Sequence, residues 1–123
     1  MKRILIIDDD VVMREIIKEA LEPQDYHLEE APNGKIGLNL HKENPFDLVI
    51  TDIIMPEMEG LETILALKRI SSRLKIIAIS GGGTIGPGEY LQMADKFGAH
   101  RVLVKPFDRQ EIVDAVSQLL EED

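Results

Sequence analysis

Short apolar runs alternate along the chain with longer stretches whose apolar positions recur every three or four residues. The runs are ILII (4–7), YHLEEA (26–31), DLVIT (47–51), KIIAIS (75–80) and RVLV (101–104). Those rich in Ile and Val without polar alternation predict strands covered on both faces, as in a parallel sheet. YHLEEA alternates more, which predicts an edge strand. Between the runs, Met13, Ile16, Ile17, Ala20 and Leu21 mark one face of a first helix, and Pro23 follows its end. A second, weaker helix opens at Asn33-Gly34 and runs to about Glu43, with Asn44-Pro45 as its stop. Leu61, Ile64 and Leu65 set a third after Gly60. A fourth begins near Pro87 and carries Tyr90, Leu91, Met93, Ala94 and Phe97 before Gly98. The last follows Asp108 and repeats Ile112, Val113, Val116, Leu119 and Leu120. Five strands alternating with five helices predict a doubly wound α/β sandwich, one domain over residues 1–123.

Composition narrows the function classes. The chain has no cysteine, which excludes disulfides and thiolate-bound zinc and permits a cytoplasmic location. No apolar run approaches the roughly 18 residues of a membrane span, and the N-terminus lacks a signal-peptide core, so a cytoplasmic protein without membrane association is expected. A net charge of −9, with scattered basic residues and no aromatic interleaving, argues against direct nucleic-acid binding. The glycine-rich stretch GGGTIGPG (81–88) lacks the G-x-x-x-x-G-K-[ST] pattern of a phosphate cradle and reads as a loop within the domain.

In open sheets of this kind, function gathers at the carboxyl ends of the strands. There the sequence puts Asp8, Asp9 and Asp10 after the first strand, Asp52 after the third, Ser80 after the fourth and Lys105-Pro106 after the fifth. Each alone has an ordinary explanation as a turn former or cap. Their convergence on one edge suggests a site of hard oxygen ligands suited to Mg²⁺. A carboxylate beside such a cation can attack phosphorus, with an ammonium and a hydroxyl stabilising the phosphoryl oxygens. Asp10 is best placed to cap the first helix.

Over nearly all its length the sequence resembles the receiver (CheY-like) domain of bacterial two-component response regulators. ILIIDDD resembles the family's first-strand acidic pair, DLVITDIIMPEMEG its phosphoacceptor segment D-x-x-M-P-x-M-x-G, AISG its Ser/Thr position and VKPF its lysine. APNGKIGL (31–38) resembles its A-x-N-G-x-x-A-L box, with Gly37 in place of alanine. The resemblance implies a flavodoxin-like (βα)5 three-layer sandwich with a five-stranded parallel sheet in the order 2-1-3-4-5. It implies that Asp52 takes a phosphoryl group from a phosphohistidine on a sensor kinase. Mg²⁺ would be held by Asp9 and Asp52, by the backbone carbonyl of Ile54, and by Asp8 mainly through water. Lys105 would pair with Asp52 and later with the phosphoryl group, and the Lys105–Pro106 bond would be cis. Ser80, followed by the small Gly81, would move toward the phosphoryl oxygens and carry the 81–88 loop and the helix near Pro87 with it.

One departure affects the switch: three residues before the lysine, the family's usual aromatic is replaced by Val102, which has no ring to swing. Expected partners are a sensor histidine kinase or histidine phosphotransfer protein and a downstream target or output domain. A homodimer through the fourth helix, fifth strand and last helix is a further expectation, as is an exposed docking residue among Tyr90, Met93 and Phe97. The chain stops just after the last helix, which fits a single-domain regulator or a receiver cut from a longer protein. No enzyme activity is expected beyond its own phosphorylation and dephosphorylation. Two alternatives stay open. DDDVV also fits the D-x-D-x-V pattern of haloacid-dehalogenase-like phosphatases, with Asp8 as nucleophile and Asp10 as acid/base, although no acidic pair follows a strand after Lys105. The other is a pseudo-receiver, a binding module that takes no phosphate.

Overall fold

The structure is a computed structural model describing residues 1–53, 59–81, 92, 96 and 98–121. Five parallel strands, β1 (Lys2–Ile7), β2 (Tyr26–Ala31), β3 (Leu48–Asp52), β4 (Lys75–Ser80) and β5 (Arg101–Val104), form one sheet in the order β2-β1-β3-β4-β5. Among the described residues the helices are α1 (Val11–Leu21), α2 (Gly34–Glu43), α3 (Glu59–Ile70) and α4 (Arg109–Glu121). The helix expected near Pro87, with Tyr90, Met93 and Phe97, lies outside the described residues, apart from helical backbone at Gln92 and Lys96.

Alternation along the strands builds the layers. Ile4 and Ile6 join a cluster with Ile17 and Leu21 of α1 and Ile112, Val116 and Leu119 of α4. Leu5 and Ile7 turn the other way, into a cluster with Leu61, Ile64 and Leu67 of α3, against which Leu38 and Leu40 of α2 pack. Each such side chain wholly removed from water contributes roughly 1.5–3 kcal/mol. This is the doubly wound three-layer sandwich the pattern of apolar runs predicts. β2 lies at the sheet edge, with only Ala31 fully buried.

Helix starts follow the polar residues before them. Asp10 Oδ1 accepts the Val12 N–H at 2.9 Å and Asn33 Oδ1 the Ile36 N–H at 2.9 Å. Before α4, Asp108 Oδ1 accepts the Glu111 N–H at 2.8 Å while the Glu111 carboxylate accepts from the Asp108 N–H, a capping box. The structure differs from expectation at Ile16, which is 48% exposed. The buried stripe of α1 is narrower than its apolar pattern, and Ile16 lines a groove of about 210 Å³ between α1 and the start of α4. Gly37, where the resemblance implies alanine, sits where α2 lies close on β1. A Cβ there would come within 2.5 Å of Ile7 Cδ1.

At the opposite end of the sheet from the aspartates, His41 is buried and ties α2 to two loops. Its Nδ1 accepts the Phe46 N–H at 3.0 Å, so Nε2 carries the proton and donates to Ser71 Oγ at 2.8 Å. Burial pulls the imidazole pKa below its ordinary value, so the neutral ring is the folded form. Its contribution to stability is complete above about pH 6.5 and is lost as pH falls through the folded-state pKa. His41→Ala is therefore expected to cost about 2–4 kcal/mol at pH 7.5. Urea unfolding should show that gap narrowing at pH 5, because only the wild type loses stability through this ring. A gap independent of pH would contradict the assignment.

Candidate functional site

The parallel register brings the strand ends to one level. Ile7 pairs with Thr51, Asp52 with Ile79 and Ser80 with Val104, so Asp8, Asp52, Ser80 and Lys105 arrive together. β3 runs one residue further than DLVIT suggests, which puts Asp52 on the sheet ladder itself. The Lys105 N–H donates to the Ser80 carbonyl at 2.8 Å, joining β4 to the turn that holds the lysine. The Lys105–Pro106 peptide bond is cis.

Asp8 and Asp52 are buried, whereas Asp9 is exposed. Carboxylate oxygens of Asp8, Asp9 and Asp52 all lie within 4.8 Å of one another. Lys105 Nζ is 3.1 Å from Asp52 Oδ2 and 4.0 Å from Asp8 Oδ2. Asp8 Oδ1 accepts the Asp10 N–H at 2.8 Å. Its other oxygen, Oδ2, is buried with no hydrogen-bond partner among the described residues, as is Ser80 Oγ. Burial, with the charges of Asp52 and Asp9, pushes the Asp8 carboxyl up to about 6 against the opposing pull of the Asp10 N–H and Lys105. Among the described residues, one ammonium faces three carboxylates, which leaves a surplus of negative charge.

That surplus and the orphaned Asp8 oxygen suit a small divalent cation. The donor set is all oxygen, which favours Mg²⁺ over metals that prefer nitrogen or sulfur. The remaining expected ligand, the Ile54 carbonyl, lies outside the described residues, as does the loop beyond Gly81. Gly81 itself is exposed. Val102 is half-buried, pairs with Ala78 and packs against the α3-side cluster. Gly60 lets α3 close over the site's floor: a Cβ there would overlap the Asp52 carbonyl oxygen and sit 2.6 Å from Ile53 Cα.

Asp10 does not join the acidic group. Its Oδ1 is engaged with the Val12 N–H, so the D-x-D reading finds its second carboxylate occupied as a helix cap. The sequence does not single out Arg14, whose Nη1 donates to the Asp8 carbonyl at 2.7 Å. An arginine in the first turns of an amphipathic helix reads as a solvated cation, and only the packing of α1 against β2 distinguishes it.

Comparison with known proteins covers nearly the whole chain. Residues 4–117 match the family model described as the response regulator receiver domain. A chemotaxis protein CheY from Halobacterium salinarum is 34% identical over 119 residues, with 97% of each chain covered. The response regulator receiver protein CpdR of Brucella abortus is 36% identical over 120 residues, with 98% of each covered. A response regulator receiver domain protein from Clostridium thermocellum superposes with a TM-score of 0.88 at 29% identity, covering 98% of this chain and 95% of that one. Among the described residues, no helix is long and apolar enough to cross a membrane. The face expected for a homodimer includes the helix near Pro87 and so lies partly outside the described residues.

Proposed function

Because this chain belongs to the response regulator receiver domain family of two-component signalling, we propose that Asp52 accepts a phosphoryl group from a phosphohistidine of a sensor kinase or phosphotransfer protein. The observation that carries this reading is the meeting of Asp8, Asp9 and Asp52 oxygens within 4.8 Å, with the Lys105 ammonium 3.1 Å from Asp52. An Asp52 oxygen attacks phosphorus, the P–N bond breaks, and the imidazole leaves with the electron pair and takes a proton from solvent. Asp8, Asp9 and Asp52, with the Ile54 carbonyl, would hold Mg²⁺. The bound ion supplies positive charge that offsets repulsion between the acidic group and the incoming phosphoryl oxygens.

Lys105 exchanges its contact with Asp52 for one with a phosphoryl oxygen. Ser80, whose hydroxyl is buried without a partner among the described residues, donates to a second oxygen. That movement would draw Gly81 and the following loop toward the site and change the surface offered to a downstream protein. With Val102 in place of an aromatic, the signal travels through Ser80 and the loop rather than through a rotating ring. The protein is thus a signalling domain whose chemistry is confined to its own phosphorylation and dephosphorylation.

Acetyl phosphate tests the chemistry without a cognate kinase. With Mg²⁺, intact-mass measurement should find a single phosphoryl group that is stable in acid and labile in base. The adduct should be absent with chelator and in Asp52→Asn. A wild-type protein that takes no phosphoryl group under these conditions would sink the reading and favour a binding module that needs no phosphate.

A further inference from the structure

We propose that Arg14 is a positioning residue for the acidic pair, anchored by Glu30, and that it sets the affinity of the site for Mg²⁺ without touching the ion. The inference rests on the reading that Asp8, Asp9 and Asp52 hold that ion. Arg14 spans two elements with one planar group: Nη1 donates to the Asp8 carbonyl at 2.7 Å and Nε donates to Glu30 Oε1 at 2.7 Å. Glu30 is fixed in turn by Lys18, whose Nζ lies 2.7 Å from the other carboxylate oxygen. Lys18 and Arg14 together hold the Glu30 carboxyl below the usual carboxylate range, so it stays ionised.

With the sheet bond on the other side, this contact clamps the peptide units on both sides of the Asp8 Cα. The Asp8 N–H donates to the Ala31 carbonyl at 3.2 Å, one residue beyond Glu30 on β2. The Asp8 carbonyl is turned outward to Arg14, and the peptide it belongs to leads directly into Asp9. Two of the three expected carboxylates therefore leave a backbone held on one side by the sheet and on the other by Arg14. The Arg14 side chain is only 14% exposed, so solvent is a poor substitute for either contact. Outer groups that orient metal ligands typically change metal affinity by about 10–100-fold when removed.

Isothermal titration of the metal-free protein with magnesium chloride tests this directly. Arg14→Ala is expected to weaken Mg²⁺ binding by about 10-fold or more. Arg14→Lys keeps the charge but lacks the planar fork, and is expected to weaken it by at least about 3-fold. Glu30→Ala should weaken binding in the wild-type background and add little in Arg14→Ala, because the two act as one unit. In phosphorylation by acetyl phosphate, the half-saturating Mg²⁺ concentration should rise with little change in the rate at saturating Mg²⁺. A residue that only supports the fold would lower the melting temperature and leave the titration unchanged. Mg²⁺ affinity within about 2-fold of wild type in Arg14→Lys, or a Glu30→Ala effect undiminished without Arg14, would overturn the proposal. A wild-type protein that binds no Mg²⁺ would instead overturn the metal-site reading on which it rests.

Discussion

Asp8→Asn is expected to stabilise the metal-free protein while removing most of its affinity for Mg²⁺. The Asp8 carboxylate is buried beside Asp52 and Asp9, and its pKa is pushed up to about 6. The folded state therefore holds the Asp8 proton more tightly than the unfolded chain does. The stability this proton confers is complete below about pH 4 and is lost as pH rises to about 6. At pH 7.5 the protein folds against the cost of an ionised, buried Asp8, on the order of 1–3 kcal/mol. Asparagine keeps the oxygen that accepts from the Asp10 N–H and removes the charge. In chelator, urea unfolding at pH 7.5 should show Asp8→Asn more stable by that amount, with the advantage shrinking at pH 4.5. Mg²⁺ should raise the melting temperature of the wild type strongly and of the variant hardly at all. A variant less stable than wild type at pH 7.5, with Mg²⁺ binding intact, would remove both Asp8 and the charge surplus from the account.

Gly60→Ala should act in the opposite direction, on the floor of the site. Alanine is the better helix former by about 1 kcal/mol, yet here its methyl would overlap the Asp52 carbonyl oxygen and press on Ile53 Cα. Both are backbone atoms in or beside β3, so neither can rotate away. The start of α3 or the end of β3 must shift, at a net cost of about 2–4 kcal/mol. Since Asp52 sits on that strand end, phosphorylation by acetyl phosphate should slow as well. Gly37→Ala is the control, because its methyl would meet Cδ1 and Cγ1 of the Ile7 side chain rather than backbone, and a core side chain can repack where a strand end cannot. Its cost should be less than half as large. Equal stability of Gly60→Ala and wild type would contradict the close approach on which this prediction depends.

What could be read from the sequence depended on whether chemistry or packing set the residue. The strands were legible because Ile and Val runs bury both faces, and the site was legible because parallel strands must end at one edge. Asp8, Asp52, Ser80 and Lys105 needed only that rule to be brought together. Asp10 was legible as a cap from its place before an amphipathic stretch. Ile16 was not, because the width of a buried stripe depends on how closely α4 approaches α1, which no periodicity encodes. His41 and Arg14 were missed for a related reason. Each lies on a helix face that reads as polar, and each acquires its role from partners distant in sequence, Ser71 for one and Glu30 for the other. Gly37 read as a departure from the family pattern, and it became intelligible only with Ile7 against it.

The central claim is that one carboxylate of the acidic group, Asp52, takes the phosphoryl group. Borohydride reduces an acyl phosphate to the corresponding alcohol, so treating the phosphorylated protein should convert the acceptor aspartate to homoserine. Peptide mass spectrometry after reaction with acetyl phosphate and Mg²⁺ is predicted to find homoserine at position 52 alone. Homoserine at position 8, the residue a D-x-D phosphatase would use, or at no position, would contradict the account.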